Sequence, residues 1–374
     1  MSFLRSLWSK QAGSEALKTL EISKSFNDHF PRKKTLNKLL FDLNSRLAYK
    51  KLYPVCVALY HDAEDSTVKQ VLQGVRGSDL MIMRNALEKV RNRTRYIRQD
   101  ILSLESKLLD KAAELGDNDA ISLLSFNTLK EELKGNETED DGDEVEIARK
   151  LFKELYNIEH PLTIKLLGDL SLDNGNSVEA LKFYRKFIDI AVRDHGKLLY
   201  GNDELIGEVY GKIGEIEFTY NSNILKAEEN WIRCLQLTSV ETSVRWYYLL
   251  SQVYMNSEPM KARILLEKCA AQGFKESFTS LGFIEMNLFD NIDRAKEWFK
   301  LGMEVFELQS FIGFFDCCVN REDWISALKC FRSIEKISKM ESFGNDSNHK
   351  PVTQSFLNTR AQSIEKVLLK AGFQ

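Results

Sequence analysis

Five times between residues 167 and 331, the chain repeats the same spaced set of small and bulky residues. Each set has an apolar residue followed by Gly or Ser, an Ala 11 to 14 residues later, and a bulky apolar residue four positions after the Ala. The sets are Gly168, Ala180 and Tyr184; Gly214, Ala227 and Trp231; Ser251, Ala262 and Leu266; Gly282, Ala295 and Phe299; and Gly313, Ala327 and Phe331. Two antiparallel helices cross closely only where one presents a small residue. The spacing therefore predicts five helix pairs.

The distance between successive sets also constrains the fold. The Gly or Ser positions are 46, 37, 31 and 31 residues apart, which is close to a helix-turn-helix repeat of about 34 residues. A helix pair of this length cannot bury its second apolar face alone, so it has to stack on the next pair. We therefore predict an all-α chain, an α-solenoid of antiparallel helix pairs with one concave surface.

These sets resemble the tetratricopeptide (TPR) family and its Sel1-like relatives over about residues 105–340. The Leu167-Gly168, Ala180 and Tyr184 positions match the family pattern, and the stretch from Cys269 to Gly282 is similar to a Sel1-like segment. Residues 111–124 look like a decayed earlier copy. The resemblance implies a protein partner in the concave groove. Ser251 stands where the family has Gly, and the copies depart too far from the pattern to carry over a carboxylate-binding clamp.

The chain divides into four predicted segments. They are a presequence at 1–13, a basic helical region at 14–110, a repeat array at 111–340 with an acidic loop at 135–146, and a linker with a C-terminal capping helix at 341–374. The acidic loop holds seven acids within residues 137–146 and is most simply a solvated connection. The capping helix is predicted over residues 354–370 from its apolar spacing.

The first thirteen residues have the pattern of a mitochondrial presequence. Arg5 and Lys10 are basic, and no acid precedes Glu15. The apolar residues share one face of a helix: Phe3, Leu4, Leu7 and Trp8. Such an amphipathic, basic and acid-free segment is typical of import into mitochondria. An ordinary first helix is the alternative interpretation.

The first hundred residues are basic, with 19 Lys and Arg against 10 Asp and Glu, whereas the remainder carries 33 against 45. Within this basic region, apolar residues at spacings of three and four predict one long helix from Ser78 to about Ala113. Five cations follow its other face: Lys89, Arg91, Arg93, Arg95 and Arg98. They are candidates for contact with an anionic surface, such as a membrane, or with an acidic protein. A solvated helix face is the alternative.

Signatures of catalysis are missing from the sequence. It contains no P-loop, no Gly-x-Ser-x-Gly and no His-Glu-x-x-His. The six cysteines have no metal-binding spacing, and Cys317 and Cys318 lie in an apolar helical stretch where core packing is expected. We therefore expect no catalytic residue, metal, cofactor or small-molecule substrate. No run reaches the 18 or more apolar residues of a spanning helix, so any membrane contact is expected to be peripheral.

The expected function is that of a non-enzymatic adaptor that holds a protein partner. The chain also resembles the fungal mitochondrial matrix factors that help to export the C-terminal part of cytochrome oxidase subunit 2 through the inner membrane. That resemblance implies a peripheral inner-membrane protein in cytochrome oxidase assembly. Two alternatives stay open: a cytosolic Sel1-type scaffold and an organellar RNA-binding repeat protein. Nucleic acid is not expected as the partner, because an RNA-binding groove should be basic and the repeat region is acidic.

Overall fold

The computed structural model describes residues 26, 28–94, 97–134, 142–192, 203–340 and 349–371. Over these residues the chain forms 19 α-helices and no strand, which confirms the predicted all-α solenoid class. It divides into two compact units, Met1–Ile190 and Ala191–Gln374. We describe each unit by itself.

The first unit contains nine helices, the last of which extends two residues past its boundary. They are α1 (Lys33–Asp42), α2 (Tyr49–Tyr60), α3 (Asp65–Val71), α4 (Gly77–Thr94), α5 (Gln99–Glu114), α6 (Asn118–Leu133), α7 (Gly142–Asn157), α8 (Pro161–Asp173) and α9 (Ser177–Val192). Helices α1, α2, α4 and α5 enclose one apolar core, and α6 packs against α7 and α8.

The second unit contains ten helices. They are α10 (Asp203–Thr219), α11 (Ile224–Leu237), α12 (Val240–Tyr254), α13 (Pro259–Ala271), α14 (Lys275–Asn287), α15 (Ile292–Glu304), α16 (Leu308–Asn320), α17 (Trp324–Ser338), α18 (His349–Thr359) and α19 (Ala361–Ala371). Four pairs follow one another: α10 with α11, α12 with α13, α14 with α15, and α16 with α17. We call the first member of each pair its first helix and the other its second helix.

The turns inside three of these pairs share one backbone conformation. A residue with positive φ comes directly before an N-cap residue whose side chain accepts a hydrogen bond from a backbone N–H three positions on. The positive-φ residues are Ser222 (50°), Asp290 (51°) and Glu322 (57°), and the N-caps are Asn223, Asn291 and Asp323. Asn and Asp are preferred N-caps because their side-chain oxygen satisfies an exposed N–H of the first turn. These turns start the second helices α11, α15 and α17 without a proline, whereas α13 begins at Pro259.

The prediction of one long helix over residues 78–113, made from the apolar spacing, is wrong. The structure has two helices there, with α4 ending at Thr94 and α5 beginning at Gln99. The two pack against each other, and Nη2 of Arg91 lies 3.1 Å from Oε2 of Glu105. Apolar residues of both helices enter the same core at the same spacing, so the sequence period gives no sign of the turn: Met83, Leu87, Leu104 and Leu108. The predicted boundary at residue 110 lies inside α5.

Two further expectations are corrected. The prediction of a single capping helix over residues 354–370 is wrong, because α18 ends at Thr359 and α19 begins at Ala361. Arg360 lies between them, and its Nη2 is 3.0 Å from Oδ2 of Asp316 on α16. The acidic loop at 135–146 is also shorter than predicted: residues 142–146 belong to α7, and the rest lie outside the described residues. Acids in a first turn interact favourably with the positive end of the helix dipole, which favours helix at 142–146.

Candidate protein-binding surface on the first helices

The small residues of the repeated sets lie where neighbouring helices cross. A Cβ atom added at Gly168 would lie 2.5 Å from Cε1 of Tyr184, and one added at Gly214 would lie 2.6 Å from Nε1 of Trp231. Added Cβ atoms at Gly282 and at Gly313 would both collide with the ring of Phe299. Gly313 therefore faces a ring of the preceding pair. The small residues are required because these rings occupy the space that a side chain would fill.

The other residues of the sets are also in the interior. Every Ala of the sets is fully buried: Ala180, Ala227, Ala262, Ala295 and Ala327. Ser251 is fully buried as well, and its hydroxyl donates to the carbonyl of Tyr248 at 2.6 Å. Tyr184, Trp231, Leu266 and Phe299 are fully buried, and Phe331 is 7% exposed. These residues hold helices together and leave no surface for a partner, so a binding surface has to be sought elsewhere on the same helices.

The first helices of the second unit lie side by side. Oγ1 of Thr279 on α14 is 2.6 Å from Oγ of Ser310 on α16, and both residues are buried. Between α12 and the residue before α14, the rings of Tyr248 and Phe274 have centroids 5.0 Å apart. Between α10 and α12, Arg245 forms an ion pair with Glu215. The four first helices therefore make one continuous row.

One face of this row carries four residues for each helix, counting Met255 directly after α12 and Glu307 directly before α16. They lie six and three positions before the buried Gly or Ser, and one and four positions after it, and such spacings of three and four share one helix face. The set is Glu208, Gly211, Glu215 and Phe218; Arg245, Tyr248, Gln252 and Met255; Glu276, Thr279, Phe283 and Met286; and Glu307, Ser310, Phe314 and Cys317. We call these sixteen residues the first-helix surface; Gly211, Thr279, Ser310 and Cys317 form its buried floor, and the other twelve are at least partly exposed.

The first-helix surface is polar at one end of the helices and apolar at the other. At the N-terminal end, Glu208, Arg245, Glu276 and Glu307 occupy equivalent positions. At the C-terminal end, Phe218, Met255 and Met286 are half-buried, as are Phe283 and Phe314 nearby. Cys317 is buried, with Sγ 3.8 Å from Sδ of Met286. Partly exposed aromatic and methionine side chains in a row can hold an apolar stretch of another chain, because methionine adapts its shape to different partners.

These residues are not among the sequence-predicted sites. The signal for them was present in the same repeated sets, since each position is fixed by counting from the Gly or Ser. The sequence does not show, however, which helix faces are buried by other helices. Phe299 and Phe283 are the same residue type and are equally apolar. Phe299 is fully buried, whereas Phe283 is half-buried.

The described members of the predicted cationic face do not lie on one helix, and two of them are paired with acids. Arg91 pairs with Glu105 and lies 3.8 Å from Glu88, and the hydrogen bond from Arg91 to Glu105 raises the pKa of its guanidinium. Arg98 precedes α5, where its Nε is 3.1 Å from Asp100 and its guanidinium contacts the ring of His29. Lys89 and Arg93 lie on α4. Arg95, like the predicted targeting residues Arg5 and Lys10, lies outside the described residues.

One polar cluster of the first unit resembles a nucleophile with its base. Nδ1 of His160 is 3.4 Å from Oγ of Ser122 and 3.1 Å from Oγ1 of Thr163, and Nε2 is 3.3 Å from Oδ1 of Asp119. However, Ser122 and Thr163 are fully buried, and the Ser122 hydroxyl already donates to the carbonyl of Asn118 at 2.7 Å. A substrate could not reach this hydroxyl. The cluster serves to join α6 to α8.

The cysteines are equally inaccessible. All six are buried with free thiols, and burial raises the pKa of Cys317 to about 12 and that of Cys318 to about 11. Thiols with such values are protonated at neutral pH and react poorly. Within the residues that the structure describes, no group of three or more His, Cys, Asp or Glu side chains could hold a metal ion. In the same part of the chain, no helix is both long enough and apolar enough to cross a bilayer.

Comparison with known proteins identifies relatives. Residues 22–117 match the family model described as the MSS2 N-terminal domain. Protein MSS2, mitochondrial, from Saccharomyces cerevisiae is 43% identical over 360 residues, covering 96% of this chain and 98% of the relative.

Among solved structures, a putative kinesin light chain from Podospora anserina with TPR-like repeats aligns with a TM-score of 0.37 at 15% identity, covering 48% of this chain and 96% of that one. The Escherichia coli antigen c5321, which displays an SLR fold, aligns with a TM-score of 0.32 at 13% identity over 93% of this chain and 92% of the antigen.

Proposed function

The chain belongs to the MSS2 family, and on that premise we propose that it is a mitochondrial adaptor whose first-helix surface holds a segment of another protein. The observation that carries this proposal is the row of half-buried Phe and Met side chains on helices α10, α14 and α16 and directly after α12. Apolar and aromatic groups exposed in a contiguous row are typical of protein-binding surfaces. The mitochondrial location is supported by the name of the yeast relative.

We further propose that the adaptor acts on the matrix side of the inner membrane in cytochrome oxidase assembly. The resemblance to matrix factors that help to export the C-terminal part of cytochrome oxidase subunit 2 supports this role. A binding role that needs no reaction is supported by the burial of the Ser122 hydroxyl and of the six cysteines, which leaves those groups without access to a substrate. An RNA-binding role is less well supported, because Arg91 and Arg98 are already paired with acids.

Site-specific photocrosslinking in isolated mitochondria tests the surface. A photoreactive residue at Gln252, half-buried on the first-helix surface, should give an adduct that an antibody against cytochrome oxidase subunit 2 precipitates. The matched control position is Leu225, which is 78% exposed on the second helix α11. A partner that binds the first helices gives an adduct at Gln252 and little at Leu225. An adduct at Leu225 alone would place the binding surface on the second helices.

The identity of the partner is tested in the same experiment. If the Gln252 adduct contains a protein other than cytochrome oxidase subunit 2, the adaptor surface stands and the proposed role in export is wrong. Loss of assembled cytochrome oxidase on depletion of the protein, with restoration by the unmodified chain, is the expected cellular result.

A further inference from the structure

Charge is distributed unequally between the two helices of each pair in the second unit. The first helices α10, α12, α14 and α16 carry nine acids and three bases. The second helices α11, α13, α15 and α17 carry 11 bases and seven acids. The row that presents the apolar side chains is therefore the acidic side of these pairs. A field of one sign over a binding surface selects partners of opposite charge.

The three bases of the first helices offset only part of this field, and each is paired with an acid. Nζ of Lys212 lies 2.8 Å from Oε1 of Glu208, and Nζ of Lys275 lies 3.5 Å from Oε2 of Glu307. Arg245 pairs with Glu215, as described above. Each base is thus committed to an acid of the same row. A carboxylate or phosphate brought to this surface would have to compete with those ion pairs and would lie close to further acids.

Besides Asp203 in the first turn of α10, two acids of the row are left over. Glu276, at the polar end of the first-helix surface, and Glu241, in the first turn of α12, form no ion pair with any residue that the structure describes. Glu241 is exposed and Glu276 is half-buried. Both lie at the N-terminal ends of their helices, whereas the half-buried Phe218, Met255 and Met286 lie at the C-terminal ends. The acidic edge and the apolar edge therefore run side by side across the four first helices.

From this arrangement we propose that the occupant of the first-helix surface is a cationic amphipathic segment of a partner protein. Its apolar side chains lie against Met255, Phe283 and Met286, and its Lys or Arg side chains lie along the edge that Glu241 and Glu276 form. A segment that crosses the four first helices contacts the acidic edge and the apolar edge at once. A peptide that has only basic residues or only apolar residues contacts one of the two edges. This inference rests on the proposed adaptor function and adds the chemistry of the partner.

Peptide binding to the purified full-length protein tests it by fluorescence anisotropy. The probe is a labelled amphipathic peptide with Lys on one face and Leu and Phe on the other. Its two controls are a peptide with Glu in place of every Lys and a peptide of the same composition in scrambled order. The amphipathic Lys peptide should bind at least about tenfold more tightly than either control, and its affinity should fall as salt is raised, because exposed charges are screened.

Three variants test whether the peptide binds to the first-helix surface and whether its positive charge contributes to binding. Glu276→Lys should weaken binding of the Lys peptide by about tenfold, because it reverses a charge at the edge. Glu335→Lys makes the same charge change on the exposed face of α17 and should leave binding unchanged. Met286→Gln keeps the side-chain length but adds a polar amide, and it should weaken binding of any peptide held by this surface. Circular dichroism melting of each variant verifies that it is folded.

The outcomes are distinguishable. If the Glu peptide binds as tightly as the Lys peptide and Met286→Gln weakens both, the surface is right and the proposed charge of the partner is wrong. If Glu335→Lys weakens binding as much as Glu276→Lys, the effect is one of net charge and the inference is wrong. If Met286→Gln changes no affinity, the first-helix surface is not the binding site, and the proposed site of the adaptor function fails together with the inference.

Discussion

The ring of Phe299, on the second helix of one pair, occupies the space that a side chain at Gly313, on the first helix of the next pair, would need. The same ring also fills the crossing with Gly282 inside its own pair. One aromatic side chain therefore joins two successive pairs, and the two glycines on either side of it are both required. The packing of successive pairs therefore depends on the small residues at these positions.

The substitution Gly313→Leu tests that dependence. The larger side chain has to displace the ring of Phe299, and overpacking of this kind costs about 1–3 kcal/mol of unfolding free energy. The control Ser257→Leu adds the same side chain at an exposed position between α12 and α13 and should change stability by less than about 0.5 kcal/mol. Urea unfolding followed by circular dichroism measures both. Equal urea midpoints for the two variants would contradict the packing role of Gly313.

The interactions of the Asp323 carboxylate predict that the stability of the protein depends on pH. Its side chain caps α17 by accepting a hydrogen bond from the backbone N–H of Ser326, and Nζ of Lys296 lies 2.8 Å from its Oδ2. The hydrogen bond with Lys296 is the largest of the interactions that lower the pKa of Asp323 below its ordinary 3.8. Stability from this carboxylate is therefore present above 3.8 and is lost as the pH falls through the lowered value.

Two variants separate the cap from the charge. Asp323→Ala removes both and should cost about 1 kcal/mol or more of unfolding free energy. Asp323→Asn keeps an N-cap oxygen and loses only the ion pair, so it should cost less at neutral pH. Urea midpoints measured from about pH 7 down to about pH 3 should show the difference between Asp323→Asn and the parent chain shrinking in acid. A difference that grows as the pH falls would show that the pKa of Asp323 is raised and not lowered.

The buried polar cluster distinguishes binding from catalysis. Ser122→Ala and His160→Gln should leave growth intact in a complementation assay, since neither group is proposed to react. The same holds for substitutions at Asp169, His195, Glu217 and Cys318. Deletion of residues 282–312 should abolish function, because it removes the Phe299 contact and shifts every later pair. A folded and imported point variant with no activity would instead indicate a chemical reaction.

We expect import into mitochondria to depend on the predicted presequence at residues 1–13. Changing Arg5 and Lys10 together to Glu reverses the charge that follows the membrane potential, so the variant should stay in the cytosol. Fractionation of cells that express the tagged variant measures this, with Lys18 and Lys24 changed to Glu as the control outside the predicted segment. Import of the doubly reversed variant at the normal level would assign targeting to another part of the chain.

The sequence by itself determined the helical class and the repeat register. The spacing from Gly282 to Ala295 and Phe299 predicts a helix crossing, because only a small residue lets two helices approach and a bulky one fills the space beside them. The structure places Phe299 in that crossing. The turn residues that start the second helices, such as Asn291 and Asp323, are also local signals, although their role becomes clear only when the positive φ before each one is known.

The tertiary structure alone decided which surfaces are covered. Arg91 belongs to a basic stretch in the sequence, but the turn between α4 and α5 brings it to Glu105, so it is paired. Phe283 and Phe299 have the same chemistry, but only Phe283 remains partly exposed on the first helices. Residue spacing reports the faces of one helix, since it follows from the local helical period. Which neighbour covers a face depends on contacts between residues distant in the chain, which a period does not contain.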